Sequence, residues 1–167
     1  MDMEFASTAD YALIYWELGL QIVPAAEPKD GKSWKRPIVK WRELENQQVS
    51  KEHFDRWFGP NGEHLRRQNI GIICGKASSR IFIVDLDLHK NVQAKAWWQS
   101  VVDKQRRAGD LETVWQTTGG GGIQLLFRAP ESWTPPTIKT SIGVDIRGQG
   151  GFAILPPSLH ESGRRYE

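Results

Sequence analysis

Three aspartates occupy positions where carboxylates could bind metal ions. Asp85 and Asp87 alternate with apolar residues in IFIVDLDLHKN, so their side chains share one face if this segment is a β-strand. Asp145 has a similar setting in GVDIRGQGG. Neighbouring carboxylates repel each other, and a hard divalent cation such as Mg²⁺ or Mn²⁺ relieves the repulsion by taking oxygen ligands from both. The pattern indicates a site of the kind used in two-metal phosphoryl or nucleotidyl transfer.

A purely structural role for these acids is the alternative. Asp87 could cap the turn at DLHKN, and Asp145 could pair with Arg147, which lies two residues further along the same strand face. For a single aspartate we would prefer this interpretation, but three acids in strand contexts favour metal binding. Arg147 suits either a phosphate contact or charge compensation for Asp145.

Four consecutive glycines, residues 119–122, directly precede an apolar run. Such a run lets backbone N–H groups approach an anion closely, which makes Gly120, Gly121 and Gly122 candidate ligands of a triphosphate. A flexible hairpin turn is the alternative, since the run matches neither a Walker A motif nor a dinucleotide-binding fingerprint. His160, in PPSLHESG, is a candidate for a further phosphate contact, with a solvated turn residue as its alternative.

Basic and aromatic residues are interleaved before and around Pro37. The segment contains Lys35, Arg36 and Lys40 beside two tryptophans, a mixture that suits a surface for a nucleic-acid template or a nucleotide. A solvated loop is the alternative for each basic residue taken alone. We expect an extended loop here, because proline and charged residues disfavour a regular element.

Composition narrows the class of protein without identifying it. The 167 residues include 22 Lys and Arg against 20 Asp and Glu, so the net charge by itself does not indicate a nucleic-acid partner. A lone cysteine, Cys74, lies in an apolar stretch and is expected to be buried and inert, which fits a reducing cytoplasm. No apolar run is long enough to cross a bilayer, and no signal peptide is present. The ending GRRYE suggests that a longer chain continues beyond this domain.

Helix and strand signals alternate along the chain, which predicts an α+β fold with an antiparallel or mixed central sheet covered by helices. Ser7, Ser50 and Asn91 are predicted N-caps of three helices, and Gly19 and Gly109 are expected to end the first and the third. The predicted strands are LQIVPA, NIGIICG, RIFIVDLD, GIQLLFR, GVDIR and GFAILPP. We expect the second and third of these to pair, and the last two to form a hairpin.

These segments together resemble the N-terminal domain of bifunctional DNA primase/polymerases of the archaeo-eukaryotic primase superfamily, found in phage, prophage and plasmid replication proteins. The opening YALIYWELGLQIVPAAEPKDGKSWKRPIVKW is similar to the family's helix, strand and basic Pro-Trp segment. NIGIICGKASSRIFIVDLDLHKN resembles its paired-acid segment, and GVDIRGQGGFAILPPSLHESGRRYE resembles its closing segment with a third acid. The resemblance implies that Asp85, Asp87 and Asp145 are catalytic ligands of Mg²⁺ or Mn²⁺.

The resemblance also implies a fold and partners. It implies that residues 1–167 form one catalytic domain with an RRM-like palm, the N-terminal part of a replication protein with a possible C-terminal helicase domain. Nucleoside triphosphates, a single-stranded DNA template and a primer would be its partners, with no membrane. The family's second motif has a histidine that contacts the triphosphate, whereas Gln124 stands here. The resemblance implies that Gln124 binds the nucleotide too, since its amide can still donate a hydrogen bond, but it cannot become a cation. A catalytically weak binding module and a metal-dependent nuclease are therefore kept as alternatives to a primase/polymerase.

Overall fold

A computed structural model describes residues 7–28, 34–62, 65–108 and 113–167 of the chain. The helices are α1 (Thr8–Glu17), α2 (Lys51–Phe58) and α3 (Val92–Ala108). The strands are β1 (Ile22–Ala25), β2 (Asn69–Ile73), β3 (Ile81–Leu86), β4 (Val114–Thr117), β5 (Ile123–Arg128), β6 (Val144–Arg147) and β7 (Phe152–Leu155). Mixed helices and antiparallel strands confirm the predicted α+β class.

The predicted helix starts are confirmed. Ser7 and Asp10 form a reciprocal capping box at the start of α1, and the Ser50 hydroxyl accepts from the backbone N–H of His53 in α2. The Asn91 side chain accepts from two backbone N–H groups of α3. Gly19 ends α1 with a positive φ of 75°, as predicted. Gly109, the predicted end of the third helix, lies outside the described residues.

The strands form two antiparallel sheets instead of one central sheet. The first has the order β1-β2-β7 and the second the order β4-β5-β3-β6. In the second sheet the first strand along the chain lies between the third and the fourth, and a helix joins the first strand to the second. This is the order of an RRM-like palm, which agrees with the predicted fold.

Two predicted strand pairings are wrong. β2 and β3 meet only at a bridge between Gly75 and Ile81, because the turn between them carries the chain into the other sheet. Ser78 fixes that turn with a buried hydroxyl that donates to the carbonyl of Ile73 and accepts from the N–H of Gln21, both at 2.7 Å. β6 and β7 likewise belong to different sheets, so the glycine-rich link between them is a crossover and not a hairpin turn.

The two crossovers contact each other. The side chain of Gln149 in the second crossover accepts from the N–H of Lys76 in the first at 2.9 Å. Backbone hydrogen bonds between Cys74 and residues 150 and 151 extend the contact. The chain therefore passes between the sheets twice at one place, which fixes the position of β7 against the second sheet.

The two faces of the second sheet have different coverings. One face is apolar and packs against α3 in a cluster that contains Leu86, Ala94, Leu125 and Val144. On the other face Ile83 joins the main core, together with the first sheet, α1 and α2. Because side chains alternate along β3, Asp85 lies on the same face as Ile83, where the core ends.

Two expectations from composition can be compared with the fold. Cys74 is fully buried, so its predicted burial is confirmed, and this burial raises the pKa of its thiol to about 12, which disfavours the reactive thiolate. Among the helices that the structure describes, none combines the length and apolarity needed to span a bilayer.

Gly71→Ala is expected to destabilise the fold at the contact between the first sheet and the cleft. A Cβ at this position would overlap the ring of Phe152, and overpacking of this kind costs about 1–3 kcal/mol. Denaturant unfolding of Gly71→Ala and of Gly71→Ala/Phe152→Leu measures the effect. The second substitution should restore part of the lost free energy, and equal loss in both variants would contradict the contact.

Candidate functional site

A cleft of about 480 Å³ opens between the two sheets, where the apolar core ends on the second sheet. The second sheet supplies one wall, and β7 with the segment that follows it supplies the opposite wall. The predicted site residues that line the cleft are Lys35, Asp85, Asp87, Gly120, Gly122, Gln124, Asp145, Arg147 and His160. The structure therefore brings most of the residues singled out from the sequence into one place.

A row of four polar side chains crosses the whole second sheet. Gln116 of β4 is opposite Gln124 of β5, Gln124 is opposite Asp85 of β3, and Asp85 is opposite Asp145 of β6. The Gln116 amide donates to the Gln124 carbonyl oxygen, and Gln124 Nε2 donates to Asp85 Oδ1 at 3.1 Å. Both glutamines are buried, so these hydrogen bonds satisfy polar groups that would otherwise be costly.

Arg147 joins the two carboxylates of the row. Its Nη2 lies 3.0 Å from Asp85 Oδ2 and 3.2 Å from Asp145 Oδ2. The other oxygen of Asp145 accepts from the backbone N–H of Thr140 at 2.8 Å. Two carboxylates on paired strands thus converge on one positive charge, which offsets the repulsion between them.

The donor chemistry of the cleft fits a hard divalent cation. Asp85 and Asp145 present oxygens to one cationic neighbour, and the carboxylate of Asp87 lines the same cleft on the exposed side. Within residues 7–28, 34–62, 65–108 and 113–167, however, no three Asp, Glu, His or Cys side chains are already grouped as a metal-binding set. Arg147 occupies the position between the carboxylates. The predicted ligands are thus neighbours, and their joint use by a metal remains a prediction.

The glycine run is the turn of the β4-β5 hairpin, which agrees with the hairpin turn considered in the sequence analysis as the alternative to anion binding. The N–H groups of Gly121 and Gly122 donate to the carbonyl and hydroxyl oxygens of Thr118. A Cβ on Gly119 would overlap His160, and one on Gly122 would lie 2.5 Å from the Leu86 carbonyl oxygen, so close packing itself requires glycine at both positions. The turn also borders the cleft, which keeps the anion interpretation open.

Two N–H groups of this turn find no acceptor within the part of the chain that the structure describes. Among the described residues, no group accepts from the backbone N–H of Gly119 or of Gly120. Gly120 lines the cleft. Unpaired N–H groups at a turn are the feature by which backbone loops bind anions.

His160 lies against this turn and is buried, so it is not the solvated turn residue of the alternative. Its ring contacts Trp34 edge-on with centroids 5.0 Å apart, and it also lies near Tyr166. Burial lowers the pKa of His160 below its ordinary value. Tyr166 is buried too, and its pKa is raised, first by burial and then by the negative charge of Asp85.

Three predicted site residues do not line the cleft. Gly121 turns away from it, since a Cβ there would approach His89. Arg36 and Lys40 are exposed on the basic loop, and of its predicted cations only Lys35 reaches the cleft, where its Nζ lies 5.1 Å from the centre of the Trp34 ring. A role for Arg36 and Lys40 in binding nucleic acid stays a prediction.

The structure adds residues that sequence reasoning did not select. Gln116 was missed because β4 was not predicted, although Val114–Thr117 has the β-branched and aromatic composition of a strand. Tyr166 enters through a bridge between Leu159 and Arg165, a pairing that no local pattern signals. Further lining residues are Lys90, Asn91, Thr118, Lys139, Thr140 and Ser141.

Arg147→Gln is expected to destabilise the protein by about 1–3 kcal/mol at neutral pH. It leaves the carboxylates of Asp85 and Asp145 opposite each other without a cation. Because these side chains are partly buried, the cost should lie between that of losing an exposed ion pair and that of breaking a fully buried one. Millimolar Mn²⁺ should recover more stability in this variant than in the parent, because the ion can replace the guanidinium. Denaturant unfolding with and without Mn²⁺ measures both effects.

Arg56→Gln is the matched control, because its partner Glu52 is largely exposed on the same helix. It should cost less than about 0.5 kcal/mol and respond to Mn²⁺ only as much as the parent does. An equal response to Mn²⁺ in the parent, Arg147→Gln and Arg56→Gln would show that the ion does not take the place of the guanidinium between the two carboxylates.

Comparison with known proteins identifies the family to which this fold belongs. The profile of the family described as "Bifunctional DNA primase/polymerase, N-terminal" (Prim-Pol) matches residues 12–167. A search of curated proteins finds no match. The family match spans both sheets and all four strands of the polar row, and it confirms the resemblance drawn from the sequence. The chain belongs to the Prim-Pol family of bifunctional DNA primase/polymerase N-terminal domains.

Proposed function

We propose that this domain is a template-directed nucleotidyltransferase that makes or extends primers by a two-metal mechanism in phage or plasmid replication. The family implies primase/polymerase activity, and one observation supports the mechanism in this chain. Asp85 and Asp145 line the same cleft as Gly120, whose N–H group has no acceptor among the described residues. A cation-binding end and an anion-binding end in one cleft suit a metal-bound nucleoside triphosphate.

The acidic end of the cleft would hold the divalent ions. Asp85, Asp87 and Asp145 are the residues we assign as ligands of Mg²⁺ or Mn²⁺. When bound, such ions supply positive charge that stabilises the reacting phosphate and the leaving pyrophosphate. Arg147 neutralises the carboxylates before binding and offers a guanidinium to a phosphate oxygen.

The reaction itself would need no protein nucleophile. The 3′-hydroxyl oxygen of a primer or initiating nucleotide attacks the α-phosphate, the bond to the bridging oxygen breaks, and pyrophosphate leaves. The protein's part is to hold both reactants in line and to offset negative charge. The exposed basic residues Lys35, Arg36 and Lys40 are proposed to contact the template strand, whose phosphates favour such a surface.

Gln124 would act on this chemistry through Asp85. Gln124 Nε2 donates to Asp85 Oδ1. Gln116 Nε2 in turn donates to the side-chain oxygen of Gln124 and to the Ile154 carbonyl of the opposite wall, the latter at 2.7 Å. This chain of hydrogen bonds fixes the rotamer of Asp85 and leaves Oδ2 directed at the cation position. We therefore assign Gln124 as a positioning residue for the metal ligand.

Asp85→Asn and Asp145→Asn are expected to abolish primer extension on a single-stranded DNA template with Mn²⁺. Each substitution removes a negative ligand charge, so calorimetry should show a loss of Mn²⁺-dependent binding of the nucleoside triphosphate. Asp103→Asn, at an exposed position of α3 outside the cleft lining, serves as the control. Extension by Asp85→Asn at the parent's rate would overturn the proposal.

The two alternative functions, a metal-dependent nuclease and a catalytically weak binding module, give results that differ from those of a polymerase. A fluorescent single strand incubated with Mn²⁺ alone should stay intact, because a polymerase needs nucleotides, whereas a nuclease would shorten it. Triphosphate binding without extension would favour the catalytically weak module. Extension that requires all four nucleotides complementary to the template supports the primase/polymerase.

Gln124→Met is expected to weaken Mn²⁺ binding by about tenfold, the usual effect of removing a partner that orients a metal ligand. The shape of the side chain is nearly kept, but the hydrogen bond to Asp85 is lost. Binding of inorganic tripolyphosphate without metal should stay unchanged, which a direct phosphate contact would not allow. Gln93→Met, on the exposed start of α3, is the control, and unaltered Mn²⁺ affinity in Gln124→Met would contradict the positioning role.

A further inference from the structure

Position 124, where the resembling family has a phosphate-binding histidine, is poorly placed for that task in this chain. The Gln124 amide donates to Asp85, accepts from Gln116 and is buried. A phosphate brought to this amide would lie beside the negative charge of Asp85 and would displace an existing hydrogen bond. The side-chain donor for a triphosphate must therefore come from elsewhere in the cleft.

The imidazole of His160 lines the same cleft and lies against the glycine turn. A Cβ built on Gly120 would lie 3.2 Å from His160 Nε2, so this nitrogen is adjacent to the turn's unpaired N–H groups. The contacts with Trp34 and Tyr166 hold the ring in place. The ring is thus fixed before any ligand arrives, which reduces the entropy lost on binding.

Hydrogen bonds of Ser162 determine which ring nitrogen carries the proton. The backbone N–H of Ser162 donates to His160 Nδ1 at 3.0 Å. The Ser162 hydroxyl donates to the Gly119 carbonyl at 2.8 Å, so it does not require Nδ1 as its acceptor. Nδ1 is an acceptor, and in the neutral ring the proton is on Nε2.

The electrostatic surroundings of the ring suit an anion. The cations whose charges oppose protonation of His160 are Lys35, Lys90 and Arg164, with Glu161 acting in the opposite direction. Two of these cations, Lys35 and Lys90, line the cleft together with Gly120 and form its basic end. A bound polyphosphate would replace mutual repulsion among these groups with attraction.

We propose that His160 donates a hydrogen bond from Nε2 to the terminal phosphates of the nucleoside triphosphate, in place of a side chain at position 124. This inference rests on the proposed function and adds a specific substrate contact to it. The glycine turn and His160 would bind one phosphate group together, with backbone and ring N–H donors side by side. Gln124 and His160 thus divide between them two tasks in one cleft, the first beside Asp85 and the second beside the glycine turn.

Calorimetric titration of ATP and of inorganic tripolyphosphate, both with Mn²⁺, tests the contact. His160→Asn keeps an acceptor near the position of Nδ1 for Ser162 but removes the Nε2 donor, and we expect affinity for both ligands to fall by about tenfold or more. His160→Gln keeps a donor near Nε2 and should retain more affinity than His160→Asn. Binding of AMP, which lacks the terminal phosphates, should change by less than about twofold.

Gly120→Ala provides a second variant that leaves His160 itself unaltered. Its Cβ would crowd Nε2, so triphosphate affinity should fall while thermal unfolding stays cooperative. Parent protein that binds ATP, together with equal affinity in His160→Asn and Gly120→Ala, would overturn this inference alone. Parent protein that binds neither ATP nor tripolyphosphate would overturn the proposed function with it.

Discussion

Strand register in the second sheet is the constraint on which the candidate site depends. Asp85 is opposite Gln124 on one side and Asp145 on the other, so a single register aligns both a hydrogen-bond donor and a second carboxylate with it. A slip of one residue would turn the Asp85 side chain toward α3 and the apolar cluster. The register is held by buried neighbours on alternate faces, Ile83 toward the main core and Leu86 toward α3. Apolar packing on both faces of β3 therefore determines the geometry of the acids.

The second requirement is that the two sheets share a core that ends short of the second sheet's polar row, so that a polar surface opens there. The paired crossovers at residues 74–80 and 148–151 provide this, because hydrogen bonds join them and carry β7 to the first sheet. The segment after β7 then lies opposite the polar row and brings His160 to the glycine turn. His160 can come this close only because residue 119 has no side chain. The glycine run therefore has a structural cause in addition to its proposed role with anions.

Sequence patterns predicted what is local in this site and missed what depends on long-range pairing. Alternation of apolar residues was enough to place Asp85 and Asp145 on strands, and capping patterns located the helix starts. The pairing of β2 with β3 was predicted wrongly, because two apolar runs joined by a short turn usually form a hairpin, and here Ser78 directs the chain away from one. Gln116 gave no signal, since its importance comes only from the strand opposite it. The domain boundaries and the metal ligands stay predictions.

Separation of charge along the cleft gives a physical reason why glutamine is compatible with the proposed chemistry at position 124. A histidine beside Asp85 could become a cation there and would compete with a divalent ion for the carboxylate, in addition to the competition that Arg147 already offers. A neutral amide orients Asp85 without consuming its charge. The cost is the loss of a donor for phosphate, and the basic end of the cleft, around His160 and the glycine turn, is where that donor can be recovered without weakening the acidic end. The identity of residue 124 and the placement of His160 are therefore linked: Gln124 can be reserved for orienting Asp85 because His160 supplies the hydrogen-bond donor for phosphate.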